Sequence, residues 1–175
     1  MRRKNLFVVD VDVYLIGLSL SSPAIDAMKT WKAEGKLSIP LAEVILNDQM
    51  PLIPESKETI VSVKLRFVRS VSQTQMIQAF EDALRGCEAA SIAEFRAGLL
   101  SIIDKDRGLQ AGDVLRFDWP KQGGILLTSG NQQDSRIKDQ GLAQRLLEVY
   151  VDDTRTVSKD LVKCMMDNID AIKAL

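Results

Sequence analysis

Histidine is absent from all 175 residues, so imidazole acid/base chemistry and any Cys/His zinc site are excluded. Cysteine occurs only at Cys87 and Cys164, which leaves two thiols for an all-Cys metal site and requires no disulfide framework. Aromatic residues make up just 5% of the chain. An excess of positive charge is also missing: 23 Lys plus Arg face 24 Asp plus Glu, a net charge of -1. A broad nucleic-acid footprint needs clustered cations against phosphate, so that class of partner is not expected. Nor is there an apolar run long enough to span a bilayer. Arg2, Arg3 and Lys4 precede an apolar stretch in the manner of a signal peptide, but Asp10 and Asp12 interrupt it and no clean cleavage site follows. What is present is 46% apolar residues, enough for a single soluble domain over 1–175 that buries about two thirds of its surface.

The periodicity predicts a strand over 6–20, with Asp10, Asp12, Tyr14, Ile16, Leu18 and Leu20 on one side. Ser22 followed by Pro23 predicts a helix start, Ile25, Met28 and Trp31 its apolar stripe, and Gly35 its stop. Pro40, Pro51 and Pro54 mark a loop around a short helical turn at 41–46. At 59–69, Val61, Val63, Leu65 and Phe67 alternate with Ser62, Lys64 and Arg66, a strand with one buried side. Ser72 and Gln75 predict a capping box for a helix to about Leu84, and Ser91 with Glu94 predicts a second before 92–103. Gly112-Asp113 introduces a strand–loop–strand through VLRFDW and ILLT, and Ile137 closes the strand series. Helices follow at about 139–149 and after Ser158. The order β-α-β-α-α-β-β-α-α predicts one α+β domain with helices covering a sheet. No repeat or coiled-coil heptad is present.

Several fragments together resemble the chalcone isomerase-like superfamily, which includes plant fatty-acid-binding members. They are VYLIGLSL at 13–20, VKLRFVRSV with the helix QTQMIQAFEDAL, then FRAGLL, LQAGDVLRFDWPKQGGILL and LAQRLLEVYVDDTRTVSKDL. Each alone is weak, whereas their order across most of the chain is specific. The resemblance implies an open-faced β-sandwich, an antiparallel sheet beneath a helical layer, with a ligand cavity between them.

In the isomerases of that family, an early Arg and a strand Thr act beside a Tyr and an Asn to polarise a ketone and hold a phenolate. The Thr position matches Tyr14 here, the Arg matches Arg2 or Arg3, the Tyr falls at about Gln73 and the Asn at about Phe80. The donor pattern of the last two is lost, which argues against ring-closing activity. An early Arg followed by Tyr is instead the pair of the fatty-acid-binding relatives. A guanidinium can grip a carboxylate and a phenol can donate to it. Arg69 is an alternate anion anchor, against surface salt bridging. Thr156 lies where the isomerases supply another hydroxyl, and Ser158 reads more simply as a helix cap. Ile16, Leu18, Phe67, Met76, Phe80, Phe95 and Leu99 are candidates for lining a tail cavity, with ordinary core packing as the alternative for each.

The expectation is therefore non-catalytic binding of a fatty acid or similar amphipathic carboxylate. The alternatives are an intramolecular lyase/isomerase acting on a chalcone-like enone, or an accessory scaffold. No cofactor is expected: Gly123 and Gly124 form no phosphate loop, and Asp104, Asp106 and Arg107 form no complete calcium loop. Plant relatives suggest a plastid, but no transit segment is visible, so location stays open.

Overall fold

The computed structural model describes residues 2–6, 9–35, 41–46, 58–130 and 134–152, together with Leu161, Lys163, Met166 and Asp167 of a later helical stretch; side chains are described from Val13 onward. Two strands occupy the N-terminal region where one was expected: β1 is Arg2–Leu6 and β2 is Val9–Leu20, paired antiparallel. Phe7 and Val8 between them carry no turn-forming residue type, so the sequence gives no sign of the break. Helix α1 (Ser22–Ala33) and the short α2 (Leu41–Leu46) lead to β3 (Thr59–Phe67). Helices α3 (Gln73–Ala83) and α4 (Ala89–Ile102) precede β4 (Val114–Pro120), β5 (Ile125–Ser129) and β6 (Ser135–Ile137), and α5 spans Gln140–Val151.

All six strands form one antiparallel sheet in chain order, β1 through β6. Register sorts its two faces. Tyr14, Ile16, Leu18 and Leu20 stand opposite Phe67, Leu65, Val63 and Val61, and the last three of these face Leu115, Phe117 and Trp119. That face is the core. The other carries Gly17, Ser19, Ser62, Lys64, Arg116, Asp118 and Thr128, in keeping with the alternation expected of a sheet packed on one side. Helices cover the apolar face: α1 packs on β3, α2 lies against α1 and α5, and α4 lies on β5 and β6. Gly98 allows the last approach, because a Cβ there would stand 2.9 Å from Ser135 Oγ and 3.0 Å from Leu127 Cδ1.

Side-chain caps explain two of the helix starts, α3 and α5. Ser72 accepts from Gln75 N–H while the Gln75 side chain accepts from Ser72 N–H, the expected capping box. The other two expectations need correction. Helix α1 is capped in position by Ser21, not Ser22, and the Ser21 side chain makes no capping bond. Helix α4 starts after Glu88, so Ser91 and Glu94 lie inside it. Ser91 instead donates its hydroxyl to Asp139, the N-cap of α5.

Between sheet and helices, four rings interlock. Phe80 of α3 meets Phe95 of α4 at 5.4 Å and Phe117 of β4 at 5.3 Å, and Phe117 meets Tyr150 of α5 at 6.3 Å. The two Phe80 contacts are edge-on and the Phe117–Tyr150 contact is tilted, and ring pairs of this kind add to the burial of each ring. Trp119 Nε1 donates to the Ala143 carbonyl at 2.8 Å, pinning α5 to β4.

Candidate functional site

Tyr14 lies on the apolar face of β2, buried to 2% exposure, with its ring edge-on to Phe67 at 5.6 Å. The pairing of β1 with β2 sets Arg2 opposite Tyr14 and Arg3 opposite Asp12, with a register shift between the two arginines. Arg69 follows β3 by two residues at this same end of the sheet and is half-buried. Phe67 and Asp113 bind that end together: Phe67 N–H donates to the Asp113 carbonyl and Gly112 N–H to the Phe67 carbonyl. Thr156 and Ser158, like Cys164, lie outside the described residues, as do the side chains of Arg2, Arg3, Asp10 and Asp12.

The seven residues expected to line a cavity divide by strand and layer. Phe67, Met76, Phe80, Phe95 and Leu99 are fully buried, and Phe80 and Phe95 are in ring contact. Ile16 and Leu18 are different. They lie on the same apolar face yet remain only partly buried, while their cross-strand neighbours Leu65 and Val63 are at 0% exposure. At Ile16 and Leu18 the cover over β2 is therefore thinner than over the facing residues of β3. An apolar strip of about 14 Å, at roughly 3.4 Å per residue, leads from Tyr14 along the strand to Leu18.

Positions matched to the isomerases' central Tyr and Asn have structural duties here. Gln73 is buried, and its Nε2 donates to the Ile103 carbonyl at 2.6 Å, closing the start of α3 onto the end of α4. Phe80 sits in the ring cluster. Neither presents a free donor to a ligand oxygen.

Among the described residues, two clefts open elsewhere, and neither is lined by Tyr14 or by any of the seven. A groove of about 720 Å³ runs between the α3–α4 connection and the start of α5, lined by Arg85, Cys87, Ser91, Asp139, Arg145 and Glu148 among others. Its charges are largely engaged. Arg145 pairs with Glu148 at 3.0 Å, and Arg85 with Asp82 at 2.9 Å. The Ser91 hydroxyl and Leu142 N–H, helped by Gly141 N–H, outweigh burial and hold the Asp139 carboxyl below its ordinary pKa. Burial pushes the Cys87 thiol up; Arg145 opposes this, while Asp139 and Glu148 add to it. A thiol shifted in this direction is a weaker nucleophile than an ordinary cysteine. The second cleft lies on the outer face of the sheet. Among the described residues, no group of three or more acidic or thiol side chains is placed to hold a metal, and no helix is long and apolar enough to cross a membrane.

Sequence reasoning did not find either cleft. The alternation of Ser62, Lys64 and Arg66 marked an outward face, but which strand lay beside it could not be read without the pairing.

The chalcone isomerase-like family model matches residues 47–166. Among solved structures, the chain is similar to a fatty-acid binding protein of Arabidopsis thaliana, with a TM-score of 0.67 and 15% identity over 97% of this chain and 85% of that one. No curated protein matches by sequence.

Proposed function

This chain belongs to the chalcone isomerase-like family and has its α+β fold, and we propose that it binds a fatty acid or similar amphipathic carboxylate without transforming it. The observation that carries this reading is the partly covered apolar strip of Ile16 and Leu18 that starts at the buried phenol of Tyr14. The carboxylate sits at the Tyr14 end, where the phenol donates to it and an arginine supplies the charge. Arg2 is the first candidate, because its strand position pairs with that of Tyr14; Arg3 and Arg69 are the alternates, and Thr156 a further hydroxyl. The hydrocarbon tail follows the strip under the helices, gaining about 0.8 kcal/mol per buried methylene at most. The structural neighbour's description as a fatty-acid binding protein supports the same ligand class.

Catalysis of ring closure needs donors aimed at developing charge on oxygen. With Gln73 tied to α4 and Phe80 in the ring cluster, those donors are missing from the positions that resemble the isomerases' Tyr and Asn. Binding without turnover is what the remaining groups can do.

The test is displacement of a fluorescent fatty acid from the purified chain, with organic extraction to identify co-purified lipid. We expect saturable binding and a loss of about tenfold in Tyr14→Phe, since one hydrogen bond to a charged group is removed. Ile16→Lys, at a partly exposed position, should block the tail and abolish binding while the protein stays folded. A wild-type chain with no bound or bindable acyl chain sinks the reading. Acceleration of chalcone cyclisation, lost in Tyr14→Phe, would replace it with the enzyme alternative.

A further inference from the structure

On the face of the sheet away from the helices, a cleft of about 240 Å³ is lined by Ser19, Ser21, Thr59, Ser62, Lys64, Arg116 and Asp118, with Ile60. Three features give it a ligand's chemistry. First, Lys64 and Arg116 stand directly opposite each other on β3 and β4. Like charges so paired repel unless something neutralises them. Asp118 supplies a single carboxylate, 2.8 Å from Arg116 Nε, so the cleft keeps a net positive charge, and Lys64 forms no ion pair among the described residues. Second, the residues beside these cations are small. Gly17 stands opposite Lys64, and Ser19 opposite Ser62, which leaves a floor from which the long side chains rise. Third, Ser21 is 8% exposed and its Oγ has no hydrogen-bond partner, although it lines the cleft. A buried hydroxyl without a partner is costly, and a bound acceptor removes that cost. Ser21 is also the N-cap of α1, whose first turn has no acidic side chain, so the helix end adds to the positive potential.

We infer that this cleft binds a small soluble phosphomonoester through its phosphate group. An ammonium, the exposed part of a guanidinium and the hydroxyls of Ser19, Ser21 and Ser62 together offer more donors than the two oxygens of a carboxylate can use, whereas three phosphate oxygens can use them. The volume exceeds that of a bare phosphate and leaves space for a small organic substituent. The site lies on the side of the sheet opposite Tyr14, and it stands or falls independently of the fatty-acid reading.

Isothermal titration of the full chain with glycerol 3-phosphate tests it, with acetate as comparator. We expect saturable one-to-one binding, weakened about tenfold or more in Lys64→Gln, where a charge-assisted bond is lost. Ser21→Ala should also weaken it without lowering the melting temperature of the ligand-free protein, because the hydroxyl it removes is unpartnered there. Lys64→Gln should leave fatty-acid displacement unchanged, which separates failure here from failure at the Tyr14 site. Absence of saturable binding overturns the inference. So does affinity unchanged in both variants, or acetate bound as tightly as glycerol 3-phosphate.

Discussion

Asp139 accepts from the N–H of Leu142, two residues into α5, and from the hydroxyl of Ser91 in α4, so one carboxylate both caps a helix and fastens it to its neighbour. Replacing it with alanine leaves the first turn of α5 and the hydroxyl of the buried Ser91 without their acceptor. A cap of this type contributes about 1–2 kcal/mol. Asp139→Ala should therefore lower the urea midpoint at neutral pH by an amount corresponding to that loss, with the slope of the transition unchanged. An unaltered midpoint would show that water replaces the carboxylate at no cost.

At the scale of elements, the ring cluster joins α3, α4, β4 and α5 through Phe80, Phe95, Phe117 and Tyr150. Phe80 touches two of the other rings and is 2% exposed. Phe80→Ala should cost about 3–5 kcal/mol, the usual range for emptying a buried aromatic site, as measured by chemical denaturation. A loss near 1 kcal/mol would mean the helices collapse into the space. How much of this was legible in the sequence follows from the range of each signal. The Ser72–Gln75 box, the alternation in β3 and the β4–β5 hairpin are local patterns, and each forms where it is written. The Ser91–Glu94 spacing is equally local, but Glu88 starts the helix one turn earlier, so Ser91 turns to a tertiary partner. The division between β1 and β2 left no trace in composition. Tyr14 was legible as an inward strand position, whereas its pairing with Arg2 and that of Lys64 with Arg116 depend on register between strands, which no single segment encodes.

For the molecule as a whole, acid stability rests partly on two carboxylates held below their ordinary pKa of 3.8. For Asp113, burial acts in the raising direction, and the Gln110 N–H and the Arg107 guanidinium overcome it; for Asp139 the Ser91 hydroxyl leads. Such groups favour the fold when ionised. Their contribution is complete above about pH 5 and is lost as pH falls past 3.8 and through the lower folded-state values. Unfolding by urea at a series of pH values should show stability falling across that acid window, and the double variant Asp113→Asn, Asp139→Asn should flatten the fall. A wild-type curve already flat there would place the acid-sensitive groups elsewhere.

The chain-ordered meander also decides how this sheet ends. Among the described residues its two borders are β1, with three basic residues in five, and β6, only three residues long. A strand arriving from another molecule would meet concentrated like charge at the first border and too few backbone groups at the second. Growth by strand addition, the usual beginning of amyloid-like assembly, is thereby discouraged on both sides.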